Sequence, residues 1–141
     1  MQERWVEISA DECAALLREN HLGRIALVST GLPLILPVNY VMDDTEVVFR
    51  TSSGSKFDAA VRHAPVAFEI DGIDERNQTG WSVLLRGRLH HVTDAAEIER
   101  LEQLPLVPWV PGEHPFYVRV TPSGTSGRRI TVPVLPSDYW G

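Results

Sequence analysis

One short segment, RTSSGSK at positions 50–56, carries most of the chemistry that the sequence offers. Arg50 supplies a guanidinium fork, Lys56 supplies a compact charge, and Thr51, Ser52 and Ser55 supply hydroxyls around a glycine. Ser55 is a favourable N-cap, so we expect a short helix with free backbone amides in its first turn. These features predict an anion site the size of one phosphate, while an ordinary capped turn with two solvated cations explains the same residues equally well.

The other reactive residue types favour structural roles. His90 and His91 are neighbours on a predicted strand and face opposite sides, so they do not form one metal site together. Cys13, the single cysteine, lies on the apolar stripe of a predicted helix, and one cysteine cannot form an internal disulfide or a Cys-based zinc ribbon. We therefore predict no metal site. The sequence contains no convincing acid–base pair, so the catalytic residues are left unassigned.

Length and charge narrow the class of protein. The 141 residues fit one domain, 1–141, with a C-terminal tail from about residue 122. The first twenty residues carry acids where a signal peptide needs an apolar run, and no run of about 18 apolar residues occurs. The net charge of −6 disfavours binding to nucleic acid phosphates. We expect a cytoplasmic protein with no membrane or nucleic acid partner.

The elements that must position the RTSSGSK segment are mainly strands. Capping boxes begin helices after Ser9 and Asp94, and Gly23 is the expected end of the first helix. Alternating apolar residues predict six strands, at 25–28, 34–42, 46–51, 65–71, 81–92 and 116–121, followed by a turn-rich tail. A polar loop, GIDERNQTG, separates the fourth strand from the fifth. Short connections make the strands antiparallel, which predicts a β-barrel with small helices.

Two features of these strands point to a ligand and a partner. Pro37 removes a backbone donor from the second strand, so an edge, bulge or bend with free backbone groups is expected there. Residues 25–28 and 83–85 are apolar on both faces, although a lone small barrel buries only its interior face. A second subunit is expected to cover the outer face.

The run FRTSSGSKFDAAV, preceded by LILPVNYVMDD and followed by VAFEIDGIDERNQTGWSVLLRGRL, resembles the pyridoxamine 5'-phosphate oxidase-like flavin-binding superfamily of split β-barrels. The resemblance extends over about residues 9–120. More narrowly, the chain is similar to the branch that includes nitroimidazole-resistance-type proteins and small actinobacterial flavin or deazaflavin reductases. The resemblance implies a homodimer of six-stranded split barrels that holds two FMN molecules at its interface. It implies that the phosphate is held by Arg50, Thr51, Ser52, Ser55 and Lys56. It also implies a flavin ring that lies along Pro37, Val38, Asn39 and Tyr40 and is approached by Trp81 and Ser82.

The function expected from the resemblance is that of an FMN-dependent oxidoreductase acting on an unidentified small molecule. A deazaflavin (F420)-dependent reductase is the nearest alternative. The absence of recognisable catalytic side chains also fits a non-enzymatic flavin- or haem-binding module. The C-terminal sequence, GRRITVPVLPSDYWG, lacks the substrate motifs of the true pyridoxamine phosphate oxidases. The roles of Arg86, Arg88 and Trp109 stay open.

Overall fold

Eight strands and three helices make up residues 5–131, the part of the chain that the computed structural model describes. The helices are α1 (Ala10–Glu19), α2 (Ser55–Val61) and α3 (Ala95–Leu101). The strands are β1 (Trp5–Glu7), β2 (Leu22–Ser29), β3 (Leu32–Asn39), β4 (Val41–Asp43), β5 (Glu46–Thr51), β6 (Pro65–Asp74), β7 (Thr79–His91) and β8 (Phe116–Ile130).

The strands form one antiparallel sheet in the order β3-β2-β6-β7-β8-β5-β4, with β1 added to β8. The chain passes directly from β3 to β4, yet these strands lie at opposite ends of the order. The sheet therefore curls into a split half-barrel, which confirms the predicted fold class. Pro37 lies on β3, which is an edge strand, as one of the predicted alternatives required.

Two strands more than predicted are present. The predicted strand 34–42 is divided at Tyr40, whose backbone N–H leaves the ladder and donates to the carbonyl of His21 at 2.9 Å. The Tyr40 phenol donates to the carbonyl of Leu17 at 2.7 Å. The break is therefore fixed by hydrogen bonds from both the backbone and the side chain of Tyr40. The other addition, β1, has three exposed residues and therefore gave no apolar alternation to detect.

The predicted turn-rich tail is wrong as far as Ile130. Strand β8 continues through this region because β7 pairs with it from Gly80 to His91. A register shift between Arg86 and Gly87 accommodates Pro122, which lies opposite Gly87. The predicted polar loop is likewise shorter, since β6 and β7 extend into it and leave residues 75–78 as the turn. Residues 132–141 of the predicted tail lie outside the described residues.

Gly23 does not end the first helix as predicted. Helix α1 ends at Glu19 with an extended C-cap at Asn20, and Gly23 lies within β2. A Cβ atom at this position would lie 2.2 Å from Cζ of Phe68 on the neighbouring strand. The glycine is needed because the Phe68 ring packs against its backbone.

The core lies inside the half-barrel and under α1. The inward residues of the sheet, such as Ile25, Phe68 and Val118, are fully buried. Cys13 is buried beneath α1, and this burial raises the pKa of its thiol, as expected of a core cysteine. Both predicted caps are confirmed, since Ser9 accepts a hydrogen bond from the Glu12 amide at 3.2 Å and Asp94 accepts one from the Glu97 amide at 3.0 Å.

The opposite side of the sheet carries an apolar strip, which we call the outer sheet face. Cross-strand partners Ala26, Ile35 and Ala67 belong to it, and Val28 and Leu84 extend it along their strands. Ile35 is 70% exposed and Val28 is 57% exposed. One chain therefore leaves this strip facing solvent. Among residues 5–131, no helix has the length and apolar character needed to cross a membrane.

Candidate functional site

The RTSSGSK segment leaves β5 and enters α2. Helix α2 begins at Ser55, but the N-cap is Gly54 and no side chain caps the helix, so the prediction of Ser55 as the N-cap is wrong. Gly54 adopts a φ of 148°, which favours glycine and lets the chain turn sharply into the helix. Ser55 is the first helical residue, and Ser52 is exposed beside it. Thr51 is buried, with its hydroxyl 3.0 Å from the Ser52 carbonyl.

Lys56 is half-buried in the first turn of α2. Burial lowers the pKa of its ammonium group. No carboxylate of residues 5–131 lies within ion-pair distance of it, whereas Arg24, Arg100, Arg119 and Arg129 each form an ion pair with an acid. A half-buried cation without a carboxylate partner is suited to bind an external anion.

Arg50 lies on β5 and contacts a proline-rich segment. Its Nε donates to the carbonyl of His114 at 2.8 Å, and its guanidinium lies 5.2 Å from the centre of the Tyr117 ring. We call residues 105–115 the strap. Arg50 and the strap line a cleft of about 520 Å³. The terminal nitrogens of Arg50 make no hydrogen bond to the described residues, so they are available to a ligand in this cleft.

The end of β3 meets the strap on its other side. Asn39 accepts a hydrogen bond at Oδ1 from the Trp109 backbone at 2.8 Å. Its Nδ2 is buried and has no hydrogen-bond partner among the described residues. Val38 points into the core, Pro37 is exposed on the edge of the sheet, and Tyr40 is buried at the break before β4. The strap therefore connects Asn39 and Arg50, two residues that the resemblance assigns to the cofactor.

Trp81 and Ser82 lie elsewhere, at the opposite end of β7. His91, at the other end of this strand, packs against Phe57 of α2 with ring centres 4.8 Å apart. Ten residues separate Trp81 from His91, which corresponds to about 30 Å of strand. Trp81 packs on Gly72 and lines a cavity of about 480 Å³ together with Trp5. Within one chain, the structure does not bring Trp81 and Ser82 to the turn that contains Lys56.

Comparison with known proteins identifies the family. The family model described as pyridoxamine 5'-phosphate oxidase matches residues 9–129. The chain belongs to this family. The predicted resemblance is thereby confirmed, and the match extends from the N-cap of α1 through nearly all of β8, with only β1 lying wholly outside it.

Three similar proteins illustrate the family. Rv0080, an uncharacterized protein of Mycobacterium tuberculosis, is 36% identical over 130 residues, which cover 89% of this chain and 85% of that protein. The structure of the FAD binding protein from Mycobacterium smegmatis is 35% identical, with a TM-score of 0.73 over 89% of this chain and 98% of that one. The FAD and heme binding protein from the same organism shares the fold, at 19% identity and a TM-score of 0.71 over 97% of this chain and 78% of that one.

This pyridoxamine 5'-phosphate oxidase family member also has a buried ionic cluster that the sequence did not indicate. Arg119 of β8 is 8% exposed and contacts the carboxylates of Asp43, Glu46 and Glu97. Arg100 of α3 adds a bidentate pair with Asp43, both distances being 2.8 Å. The cluster fixes α3, and with it the start of the strap, to the β4–β5 hairpin. Strand pairing alone could have suggested it, because acids and arginines on neighbouring strands face one another only in the correct register.

His90, His91 and Arg88 make contacts within the fold. His91 packs among aromatic rings, and His90 lies 4.7 Å from the ring of His63. Arg88 donates to the carbonyl of His63 at 3.0 Å. Among residues 5–131, neither Arg86 nor Arg88 forms an ion pair with an acid. Within the same residues, no group of three or more histidine, cysteine or acidic side chains could hold a metal ion.

Proposed function

We propose that this chain is a cytoplasmic FMN-dependent oxidoreductase that acts on a small molecule as a homodimer. The observation that carries the proposal is the pair of cations on the β5–α2 turn. Lys56 is half-buried without a carboxylate, and the terminal nitrogens of Arg50 are free of hydrogen bonds within the described chain. Family membership and the FAD binding relative from M. smegmatis support a flavin as the anion-bearing ligand.

The residues around the turn fit a flavin in chemical type. A flavin phosphate needs cations and hydroxyls, which Arg50, Lys56, Ser52 and Ser55 provide. The flavin ring carries carbonyl and ring-nitrogen acceptors, and the buried Nδ2 of Asn39 is a donor without a partner among residues 5–131. The bound cofactor would supply the electron-transfer chemistry. The role of this chain's residues is to bind and orient it.

A second copy of the chain completes the site in this proposal. Along β7, Trp81 is separated by about 30 Å from His91, which packs against α2. One chain therefore does not place Trp81 and Ser82 against the same flavin as Lys56. The outer sheet face, with Ile35 and Val28 exposed, offers an apolar surface for a partner. A homodimer with one flavin per subunit would satisfy both features.

The form of the flavin is the finer part of the proposal. The turn offers two cations, which suit the single phosphate of FMN. The cleft of about 520 Å³ beside Arg50 is the observation that favours FAD as a second candidate, because an adenylate group bound next to the phosphate would need such a space. The FAD binding relative agrees with this candidate.

Calorimetry of the apo-protein with FMN, FAD and riboflavin tests the assignment. We expect one FMN per subunit, bound more tightly than FAD and at least about tenfold more tightly than riboflavin, since riboflavin lacks the phosphate. Riboflavin binding as tight as FMN would contradict the phosphate site, and tighter FAD binding would select the second candidate. The absorption spectrum of the purified protein separates these from the deazaflavin and haem alternatives, because each chromophore has its own visible bands.

A further inference from the structure

The strap is fixed at its two ends and loosely packed in its middle. At its start, Leu104 and Leu106 pack into the small core that contains Tyr117. At its end, the His114 carbonyl accepts the hydrogen bond from Arg50. In between, Trp109 is 67% exposed, and Val107 and Val110 are exposed to a similar extent. The strap can therefore move in its middle while its two ends stay attached to the rest of the protein.

One side chain, that of Asn39, connects the middle of the strap to the sheet. The Trp109 backbone N–H donates to Oδ1 of Asn39, from a position 70 residues away in the sequence. The only other hydrogen bond described for this middle part is internal, between the His114 ring and the Val110 carbonyl at 2.9 Å. The position of the strap over the sheet therefore depends on the Asn39 carboxamide.

The same carboxamide contains the unsatisfied donor. With the strap in place, Nδ2 of Asn39 is buried and has no partner in the described chain. A buried donor without an acceptor destabilises the conformation that buries it. The carboxamide that holds the strap is thus in an unfavourable state until an acceptor reaches Nδ2. A flavin bound at the proposed site would offer such acceptors along its ring.

We propose that the strap is a lid over the cofactor and that Asn39 links its closure to cofactor binding. Oδ1 holds the lid through Trp109, while Nδ2 donates to an acceptor of the bound flavin. The inference rests on the proposed flavin site, since it needs a ligand at β3. Linkage is reciprocal: the factor by which bound cofactor favours the closed lid is the factor by which the closed lid favours cofactor binding, so loss of the lid contact weakens cofactor binding.

The first experiment measures hydrogen exchange at the Trp109 amide in protein labelled with ¹⁵N-tryptophan, with and without saturating FMN. We expect FMN to slow exchange at Trp109 at least about fivefold, the smallest effect expected from satisfying a buried donor. Trp109→Phe identifies the signal. Bound FMN with unchanged exchange at Trp109 would overturn the lid and leave the flavin assignment standing. Failure of FMN to bind would overturn both.

The second experiment separates the two ends of the carboxamide. Asn39→Asp keeps an acceptor for Trp109 and removes the donor, so we expect FMN to bind about tenfold more weakly and to slow exchange at Trp109 less than in the wild type. Unchanged affinity together with unchanged slowing would refute the role of Nδ2.

A matched pair at position 109 tests the lid contact without altering Asn39. Trp109→Ala and Trp109→Pro both lose the indole, but only the proline also loses the backbone N–H. We expect FMN to bind several-fold more weakly to the proline variant than to the alanine variant. Equal FMN affinities would show that the lid contact is not coupled to the cofactor.

Discussion

Lys56 gives the most direct test of the proposed phosphate site. It is the only lysine in the chain, and it is half-buried on α2 without a carboxylate partner in the described residues. Its burial disfavours the charged form, so the free protein gains little stability from it. We therefore expect Lys56→Ala to leave the free energy of unfolding of the apo-protein unchanged or slightly higher.

The effect on ligand binding should be much larger. A charge-assisted hydrogen bond contributes about 1.5–3 kcal/mol, so losing the contact with a phosphate dianion should weaken FMN about 10- to 150-fold. Riboflavin has no phosphate, and its affinity should be the same for the wild type and the variant. Fluorescence titration of both ligands against both proteins measures the interaction as a cycle.

Arg62→Ala is the matched control. Arg62 is exposed at the C-terminal end of the same helix, and its removal changes the net charge by the same amount. We expect no more than a twofold change in FMN affinity, because an exposed charge is screened by solvent and salt. The phosphate site would be refuted if Lys56→Ala left FMN binding unchanged, or if it weakened FMN and riboflavin equally.

Three further variants test the fold and the assembly. Gly23→Ala should destabilise the protein by about 1–3 kcal/mol in urea unfolding, because the new Cβ overlaps the Phe68 ring, and Phe68→Leu should restore part of the loss. The hydrogen bond from Arg100 lowers the pKa of Asp43. The ionised carboxylate therefore stabilises the fold at pH values above the ordinary pKa of an aspartate, and this stabilisation is lost as the pH falls below about 4. Asp43→Asn should therefore flatten the acid side of the stability profile, and an unaltered profile would contradict the ion-pair assignment. Ile35→Glu should convert the proposed dimer into monomers in sedimentation at micromolar concentration, whereas a wild type that is already monomeric would argue against the dimer.

Local signals in the sequence were sufficient to locate all three helices and most of the strands. The caps at Ser9 and Asp94 involve partners three residues away, and the structure confirms both. Strand alternation located the strands of the half-barrel because each strand buries one face against the same core. The RTSSGSK segment was recognisable for the same reason, since its cations, hydroxyls and glycine are adjacent in the chain.

Local signals failed where a distant residue decides the outcome. Gly23 has the composition of a helix stop, but the Phe68 ring makes it a packing position in β2. Ser55 is a good N-cap by type, but Gly54 turns the chain and takes that position. The segment after Thr121 is rich in turn-forming residues, yet pairing with the whole of β7 keeps it extended. In each case a tertiary contact outweighs a modest local preference.

The sequence by itself determined the mainly β fold class, the caps at Ser9 and Asp94, the cation-bearing turn and the family. Only the tertiary structure decided what surrounds that turn. It brings the strap to Arg50 and Asn39 through hydrogen bonds between residues 64 and 70 positions apart, and it leaves Trp81 at the far end of β7. Such contacts depend on the order and register of all the strands between them, and a one-residue shift in register would reverse every side chain on a strand.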